Sequence, residues 1–285
     1  MRRLSLIAVA LLFVSAFQRA TPPPTGTGPL WEMAETEREF ARTAIKMGIR
    51  DSFLEFFAPD AIALTPEPHS AVERLRGRPS RPFSEAELTW QPRAGDVAAS
   101  GELGWLTGPS TYTDHVAKAA PSYGNYLSVW RRQRNGVWRV YIDIGTTIPM
   151  PAPFAPGFTQ VRLSRTYVGG RSESPTSPVE ADKALNARIA SDGTPTAYDA
   201  ALGVAARLHR PNVMPQVGRP VIVAWLEKNA LRWSWQTTAG EAAKSADLGY
   251  SYGLYAAGEK KGGYVRIWDR DADGKWWLMA EVVTE

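Results

Sequence analysis

The segment Tyr126–Asp143 occurs again as Tyr264–Glu281, and this duplication constrains the fold more than any other feature of the chain. The first copy reads Tyr126-Leu-Ser-Val-Trp130, a polar break ending in Asn135-Gly136, then Trp138-Arg-Val-Tyr-Ile-Asp143. The second reads Tyr264-Val-Arg-Ile-Trp268, a break ending in Asp273-Gly274, then Trp276-Trp-Leu-Met-Ala-Glu281, at a constant offset of 138 residues. Asn-Gly and Asp-Gly between apolar runs predict a β-hairpin, because both pairs tolerate the positive φ of a type I′ turn. Upstream, Trp90-Gln91 matches Trp235-Gln236 and Leu103–Gly108 matches Leu248–Gly253, here at an offset of 145. The change of offset falls between Gly108 and Tyr126, so the copies differ in the length of one loop. A duplication with its length change confined to a loop implies two copies of one domain, and 285 residues suit that number.

The first twenty residues predict export. Arg2 and Arg3 give a positive start, Leu4–Phe17 is apolar apart from serines, and the run is too short to span a bilayer comfortably. Val14-Ser15-Ala16 fits the small-residue cleavage rule, and a cut after Ala20 is also open. The expected location is periplasmic or secreted, with no stable membrane insertion once the signal is cleaved. Cys is absent, which excludes disulfides, thiol nucleophiles, Cys metal sites and a lipid-anchored cysteine. The formal charge of +4 includes Arg2, Arg3 and Arg19, so the mature chain is close to neutral. Without a basic stripe interleaved with stacking aromatics, no nucleic-acid partner is expected.

Composition is that of a globular chain, 44% hydrophobic and 22% charged, and 11 Trp supply aromatic area for a core in each half. Residues 21–29 read as a Pro-rich tether. Trp31–Met47 has apolar residues at helical spacing, Gly48 can end that helix, and Asp51–Phe57 reads as a second. Ala61–Leu64 begins the strands, Ala71–Leu75 reads as a short helix, and Leu88–Gln91, Leu103–Thr107 and the hairpin complete a sheet. Residues 149–176 are Pro-rich and read as a linker in which Thr159–Val168 alternates weakly enough to pair with a sheet edge. Ser177-Pro178-Val179-Glu180 then opens the second copy with an N-cap Ser, a Pro at the first helical position and a Glu at the capping-box position. The domains are placed at residues 30–148 and 177–285. Each reads as helices followed by an antiparallel meander, an α+β pattern with helices packed on one face of a curved sheet.

These residues resemble a known superfamily. A helix pair, Pro59-Asp60-Ala61, a Ser-Gly-Glu-Leu-Gly strand at Ser100–Gly104, and Gly-x-Tyr-x-x-x-Trp at Gly124–Trp130 followed by Asn-Gly-x-Trp look like the SnoaL-like, ketosteroid-isomerase-like superfamily. In the second copy the matching residues are Ser245–Gly249, Gly262, Tyr264, Trp268, Gly274 and Trp276. The resemblance covers most of both copies and is nearest to subfamilies without an assigned function. It implies tandem cystatin-like α+β cones of the nuclear-transport-factor-two type. The superfamily includes isomerases, cyclases, dehydratases and members that only bind or dimerise, so the activity stays open. The Asp base and the Tyr and protonated Asp of ketosteroid isomerases cannot be placed in this chain.

Several local motifs bear on chemistry. Gly249–Gly253 matches G-x-S-x-G, but the repeat sets Ser251 in mid-strand opposite Leu106, without the strand-to-helix turn that a nucleophile elbow needs. Asp269–Gly274 resembles the start of an EF-hand loop, yet its twelfth position is Ala280 rather than Glu, and a hairpin tip fits better. His69, His115 and His209 form no metal-ligand pair, so no metal or other cofactor is expected. His69 and His209 follow the first strand of each domain and are candidate ligand contacts, as are Trp105, Tyr126, Trp130, Tyr264 and Trp268. Each of these is equally an ordinary core or rim residue. The candidate catalytic residues are Asp143 and its counterpart Glu281, at the end of each hairpin. Alternation puts Asp143 on one face with Arg139 and Tyr141, opposite Trp138, Val140 and Ile142. If that face lines the cone, a carboxyl among aromatics would have a raised pKa, suited to a general base; the plainer and favoured reading is a solvent-facing strand end or a salt bridge.

Two further expectations complete the reading. A small apolar or aromatic molecule is the expected partner, with acid–base lyase, isomerase or cyclase chemistry and a protein-interaction module as the alternatives. The two cones are expected to pack on each other as an internal pseudo-dimer.

Overall fold

The two hairpin copies lie at the centres of two separate sheets with the same strand order. A computed structural model of the chain describes residues 26–65, 67–152, 157–161, 176–229 and 232–284. The predicted export signal and most of the tether lie outside the described residues, as do residues 162–168 of the weakly alternating segment. In the first half, α1 (Pro29–Met47) and α2 (Ile49–Phe56) lead into β1 (Phe57–Ala63), β2 (His69–Ser70) and α3 (Ala71–Arg76). Then come β3 (Ala86–Trp90), β4 (Ala94–Val97), β5 (Leu103–Asp114), β6 (Ser122–Arg132) and β7 (Trp138–Ile148). A short strand in the Pro-rich segment, β8 (Thr159–Gln160), pairs with β4. The second half repeats this series as α4 (Pro178–Asp192), α5 (Thr194–Ala201), β9 (Leu202–His209), β10 (Gln216–Val217) and α6 (Arg219–Lys228). It ends with β11 (Ser234–Ala242), β12 (Leu248–Ala257), β13 (Lys260–Arg270) and β14 (Trp276–Val283). The sheet orders are β2-β1-β7-β6-β5-β4-β8, with β3 also on β5, and β10-β9-β14-β13-β12-β11. Each half is an α+β cone, as the duplicated sequence and its resemblance led one to expect.

Local chemistry explains the helix boundaries. Pro29 at the first helical position starts α1 two residues before Trp31, and the buried stripe Leu30, Met33, Ala34, Glu37, Phe40 and Ala44 seats it on the sheet. Gly48, at φ 82°, separates α1 from α2. Ser177 caps α4 by accepting from the Glu180 N–H at 3.2 Å. The Glu180 carboxylate does not complete a capping box; it accepts from Thr176 N–H at 2.8 Å, one residue further out.

The hairpin turns differ from the expected type I′. Asn135 and Asp273 do not have positive φ, while Gly136 and Gly274 do, both at 83°. The Gly136 N–H donates to the Gln133 carbonyl (2.8 Å), and the Gln133 N–H to the Val137 carbonyl (2.8 Å). The second hairpin repeats both bonds at Gly274 and Asp271. This is a three-residue loop in which a type I turn is followed by a left-handed Gly. The Asn135 Oδ1 holds the turn by accepting from the Val137 N–H (3.1 Å). The proposed Ser100–Gly104 strand is likewise a turn at its start: Gly101 has φ 75°, and β5 begins at Leu103.

A β-bulge at the centre of each hairpin overturns simple alternation. Trp130 pairs with Val140 but Val129 pairs with Ile142, so Tyr141 is the extra residue of β7. Side chains beyond it change face. Trp138 and Val140 belong to the helix-side core with Phe40 and Trp130, while Ile142 and Ile144 belong to the core on the other side of the sheet. Asp143 therefore points to the helix side with Trp138 and Val140, not with Arg139 and Tyr141. The second hairpin has the same bulge, with Met279 as the extra residue.

The outer faces of the two sheets pack on each other. One apolar cluster joins Trp105, Val129 and Ile142 to Tyr250, Ile267 and Ala280. Its edge is reciprocal. The Ser100 N–H donates to Ser245 Oγ (3.2 Å) and the Ser245 N–H to Ser100 Oγ (3.1 Å), and the hydroxyls lie 2.7 Å apart. These serines are equivalent positions of the two copies, so the contact has the self-complementary form of a twofold interface. Asp247 accepts from the Ala99 N–H (3.0 Å), and Glu102, its equivalent, from the Lys244 N–H (2.6 Å).

Candidate functional site

The bulge in β7 sets Asp143 on the wall of a cavity in the first half, of about 500 Å3. The apolar walls come from α2, α3 and the sheet, with Phe53, Phe57, Leu75, Leu88, Trp90 and Ile144. The exposed lining residues Arg78, Gly145 and Thr147 mark its mouth. Tyr126 lines the cavity beside Asp143, and Thr284 from the second half contributes to the rim.

Behind this wall lies Glu37, 1% exposed, in the middle of the buried stripe of α1. Its carboxyl accepts from Trp90 Nε1 (2.5 Å), Ser128 Oγ (2.9 Å) and Trp130 Nε1 (2.9 Å). Burial pushes its pKa up to about 7 against the effect of these donors. Asp143 keeps part of its surface open to the cavity and has no hydrogen-bond donor among the described residues. Burial, and then the charge of Glu37, push its pKa up to about 8. The Tyr126 hydroxyl is buried beside Glu37, and burial and the charges of both carboxyls hold it protonated. Two carboxyls and a phenol thus meet at the inner end of an apolar cavity, and neutral pH lies close to the titration of both acids.

The second half carries the equivalent positions with a different outcome. Glu37, Ser128 and Asp143 correspond to Asp182, Arg266 and Glu281 at the two offsets. The pairing confirms the equivalence, since Ser128 lies opposite Asp143 and Arg266 opposite Glu281. Arg266, with 0% exposure, bridges the two carboxylates: its Nη1 pairs with Asp182 and its Nε with Glu281 (2.5 Å). Arg210, where the first half has Thr65, also pairs with Glu281. The Tyr198 hydroxyl, at the position of Phe53, donates to Glu281 Oε2 (2.8 Å). Burial would raise the Glu281 pKa, but the charges of Arg210 and Arg266 and the bonds from Arg266 and Tyr198 outweigh it and hold it below the ordinary value. The space between the two carboxyls of the second cone is thus filled by guanidinium.

The other candidate residues are dispersed. Trp105 lies in the cluster between the sheets, away from the cavity. Trp130 is fully buried behind the wall as a donor to Glu37, and Trp268 donates to Ser251 Oγ (2.8 Å) in the second core. Tyr264 donates to Asp182 (2.7 Å). His209 is buried between the halves, where its Nδ1 accepts from Asn125 Nδ2 at 2.6 Å. Burial, Arg207 and Arg210 push its pKa down to about 3, so it is neutral. His69 sits near the mouth, with Nδ1 2.6 Å from the Glu67 carbonyl and Nε2 3.2 Å from Arg74 Nη1. Asp271 serves its turn, accepting from the Lys275 N–H (2.8 Å) and Trp277 Nε1 (2.7 Å). Among the described residues no group of three or more His, Asp or Glu is placed to hold a metal, and no helix is long and apolar enough to cross a membrane.

Sequence reasoning did not single out Glu37, Ser128 or Arg266. The signal for Glu37 was present: it lies four residues after Met33 and three before Phe40, inside the apolar stripe of α1. Arg266 could be found by aligning the two copies, because it replaces a Ser on a strand between Tyr264 and Trp268.

No family model and no curated protein matches the chain. Solved structures similar to it include an NTF2-like protein of unknown function from Shewanella oneidensis, at 13% identity over 38% of this chain and 95% of that one, TM-score 0.32. A putative ketosteroid isomerase from Parabacteroides distasonis is 15% identical over 41% of this chain and 89% of that one, TM-score 0.33. A protein from Mycobacterium tuberculosis in complex with estradiol-17beta-hemisuccinate is 10% identical over 39% of this chain and 93% of that one, TM-score 0.31. The chain is thus similar, over part of its length, to proteins described as NTF2-like and as a putative ketosteroid isomerase.

Proposed function

We propose that the protein is an exported tandem cone whose first half binds a small, largely apolar molecule, while the second half is a structural partner. The observation that carries this reading is the contrast at one pair of equivalent positions. Asp143 faces an open apolar cavity without a donor, whereas Glu281 is held by buried arginines. A cavity of about 500 Å3 is in the size range of small-molecule sites, which are apolar with a few placed polar groups. Asp143 and Tyr126 are those groups here. His69, Trp105, Trp130, His209, Tyr264 and Trp268 are not assigned ligand contacts in this reading, and Glu281 is not assigned a catalytic one. Residues 1–20 are the export signal, and the reciprocal interface between the sheets serves as an internal dimer contact.

The same geometry supports a second reading, acid–base turnover of the bound molecule. A carboxyl titrating near 8 beside another near 7 can take a proton from carbon or return it at neutral pH. Asp143 is the base in this reading, Tyr126 a donor to a developing oxyanion, and Glu37 the group that tunes Asp143 from behind.

The test is native mass spectrometry and thermal shift on the mature chain, beside the variant Ser128→Arg. That substitution places in the first cone the residue that closes the second. The expected result is a co-purified or screened ligand on the natural protein that Ser128→Arg no longer holds, with folding retained. Undiminished binding by Ser128→Arg, or binding that requires Arg266 and not Asp143, contradicts the reading.

A further inference from the structure

The proposed cavity has a polarity of its own. Its inner end carries the Asp143 carboxyl, with Glu37 buried behind the wall, a setting that disfavours an anion. Its mouth carries two cations, Arg74, half-buried on α3, and Arg78, exposed just beyond it. Other arginines of this half face carboxylates: Arg50 is paired with Asp51, Arg81 with Asp114 and Arg131 with Glu241. Arg74 is held by neutral acceptors instead, the Thr65 carbonyl and His69 Nε2 (3.2 Å). Among the described residues, neither Arg74 nor Arg78 has a carboxylate within ion-pair distance. Thr65, Thr147 and Thr284 share the lining, the hydroxyls of the last two bonded to Asn212 and Gly263, and Thr146 Oγ1, buried, has no hydrogen-bond partner.

We propose that the molecule held in this cavity is an amphipathic anion, with a ring-sized apolar body inside and an oxyanion, such as a carboxylate or sulfate, held at the mouth by Arg74 and Arg78. The inference rests on the cavity being a binding site and adds the chemical class of its occupant. A guanidinium free of carboxylate partners and held by neutral acceptors presents its remaining N–H groups in a fork that matches an oxyanion. The hydrophobic wall of Phe53, Phe57, Leu75, Leu88 and Trp90 takes the body. The end that meets Asp143 and Tyr126 is then uncharged and polar, a carbonyl or hydroxyl.

The experiment is calorimetric titration of the full mature chain with matched pairs of one- and two-ring probes: benzoate against benzyl alcohol, and 2-naphthoate against naphthalene-2-methanol. The expected result is that at least one carboxylate binds about tenfold or more tightly than its alcohol, with a preference that shrinks at high salt. Arg74→Met and Arg78→Met should each remove most of that preference and leave the alcohol unchanged, while Arg74→Lys retains part of it. Alcohols that bind as tightly as their carboxylates overturn the anion and leave the cavity reading standing. A preference that survives both Met variants overturns the assignment to these arginines. Binding of neither member of any pair overturns both readings. Arg78 is exposed, so its Met variant tests the idea even where Arg74→Met impairs folding.

Discussion

Three differences between the copies, Ser128 against Arg266, Thr65 against Arg210 and Phe53 against Tyr198, give the equivalent carboxyls different surroundings. With Ser, Glu37 has only uncharged donors and Asp143 has none among the described residues, and burial keeps both protonated into the neutral range. With Arg, the two carboxylates of the second become one ion-pair network. Removing a single partner from such a network leaves charge buried without compensation, and Arg266→Met should cost roughly 3–5 kcal/mol in denaturant unfolding. The pH dependence follows from the opposite shifts. Asp143 and Glu37 are raised, so the native state holds protons that the unfolded chain has already shed. Stability is therefore full below the ordinary carboxylate range and declines as pH rises from there to about 8. Glu281 is lowered, so its contribution is present above the ordinary value and lost as pH falls through the depressed one. Asp143→Asn should flatten the decline between the acid range and about 8, measured as the urea midpoint against pH; an unchanged slope would remove Asp143 as its source. Asp143 was legible from its place at the hairpin end. Glu37 and Arg266 left signals in the apolar stripe of α1 and in the comparison of the copies, but their meaning depends on which residues the fold brings opposite them.

At the scale of elements, the hairpins were legible and their detailed geometry was not. Asn135-Gly136 and Asp273-Gly274 announce a turn, but the strand twist is met by a three-residue loop with Gly alone at positive φ. Gly136→Ala should therefore cost about 1–2 kcal/mol, the left-handed penalty of a residue with a Cβ, while Asn135→Ala should cost less because only one hydrogen bond is lost. Equal costs in thermal unfolding would point back to a type I′ turn. The bulge at Tyr141 had no signature in one copy, since period-two alternation reads through it. It matters most for the site, because it turns Asp143 from the outer face to the cavity. Gly108 and Gly253 show how a recurring glycine encodes a close approach: a Cβ there would lie 1.9 Å from the Gln91 carbonyl oxygen and 2.0 Å from that of Gln236. In the first copy that carbonyl opens the irregular stretch Gln91–Arg93, and in the second it lies on β11 just before the register shift between Thr237 and Ala239.

At the scale of the molecule, the duplication is used asymmetrically. The sheets meet through equivalent outer faces, so the apolar surface that one cone would expose is covered by the other. Trp105, 1% exposed in that contact, should cost roughly 3–5 kcal/mol when replaced by Ala, and the loss should destabilise both halves together in one unfolding transition. Two resolved transitions in calorimetry would show that the halves are not coupled. The chain should run as a monomer in sizing with light scattering, its dimer contact being internal. The repeat made the tandem architecture readable from the sequence, whereas the different surroundings of Asp143 and Glu281 required the positions of Arg210 and Arg266. The measurement that tests this asymmetry most directly is an NMR titration of the side-chain carboxyl carbons in the intact chain, with Asp143→Asn and Glu281→Gln to assign the signals. Asp143 should titrate near 8 and Glu281 should remain ionised below the ordinary carboxylate range. Two signals that titrate together at ordinary carboxylate values would contradict an open cone beside a plugged one.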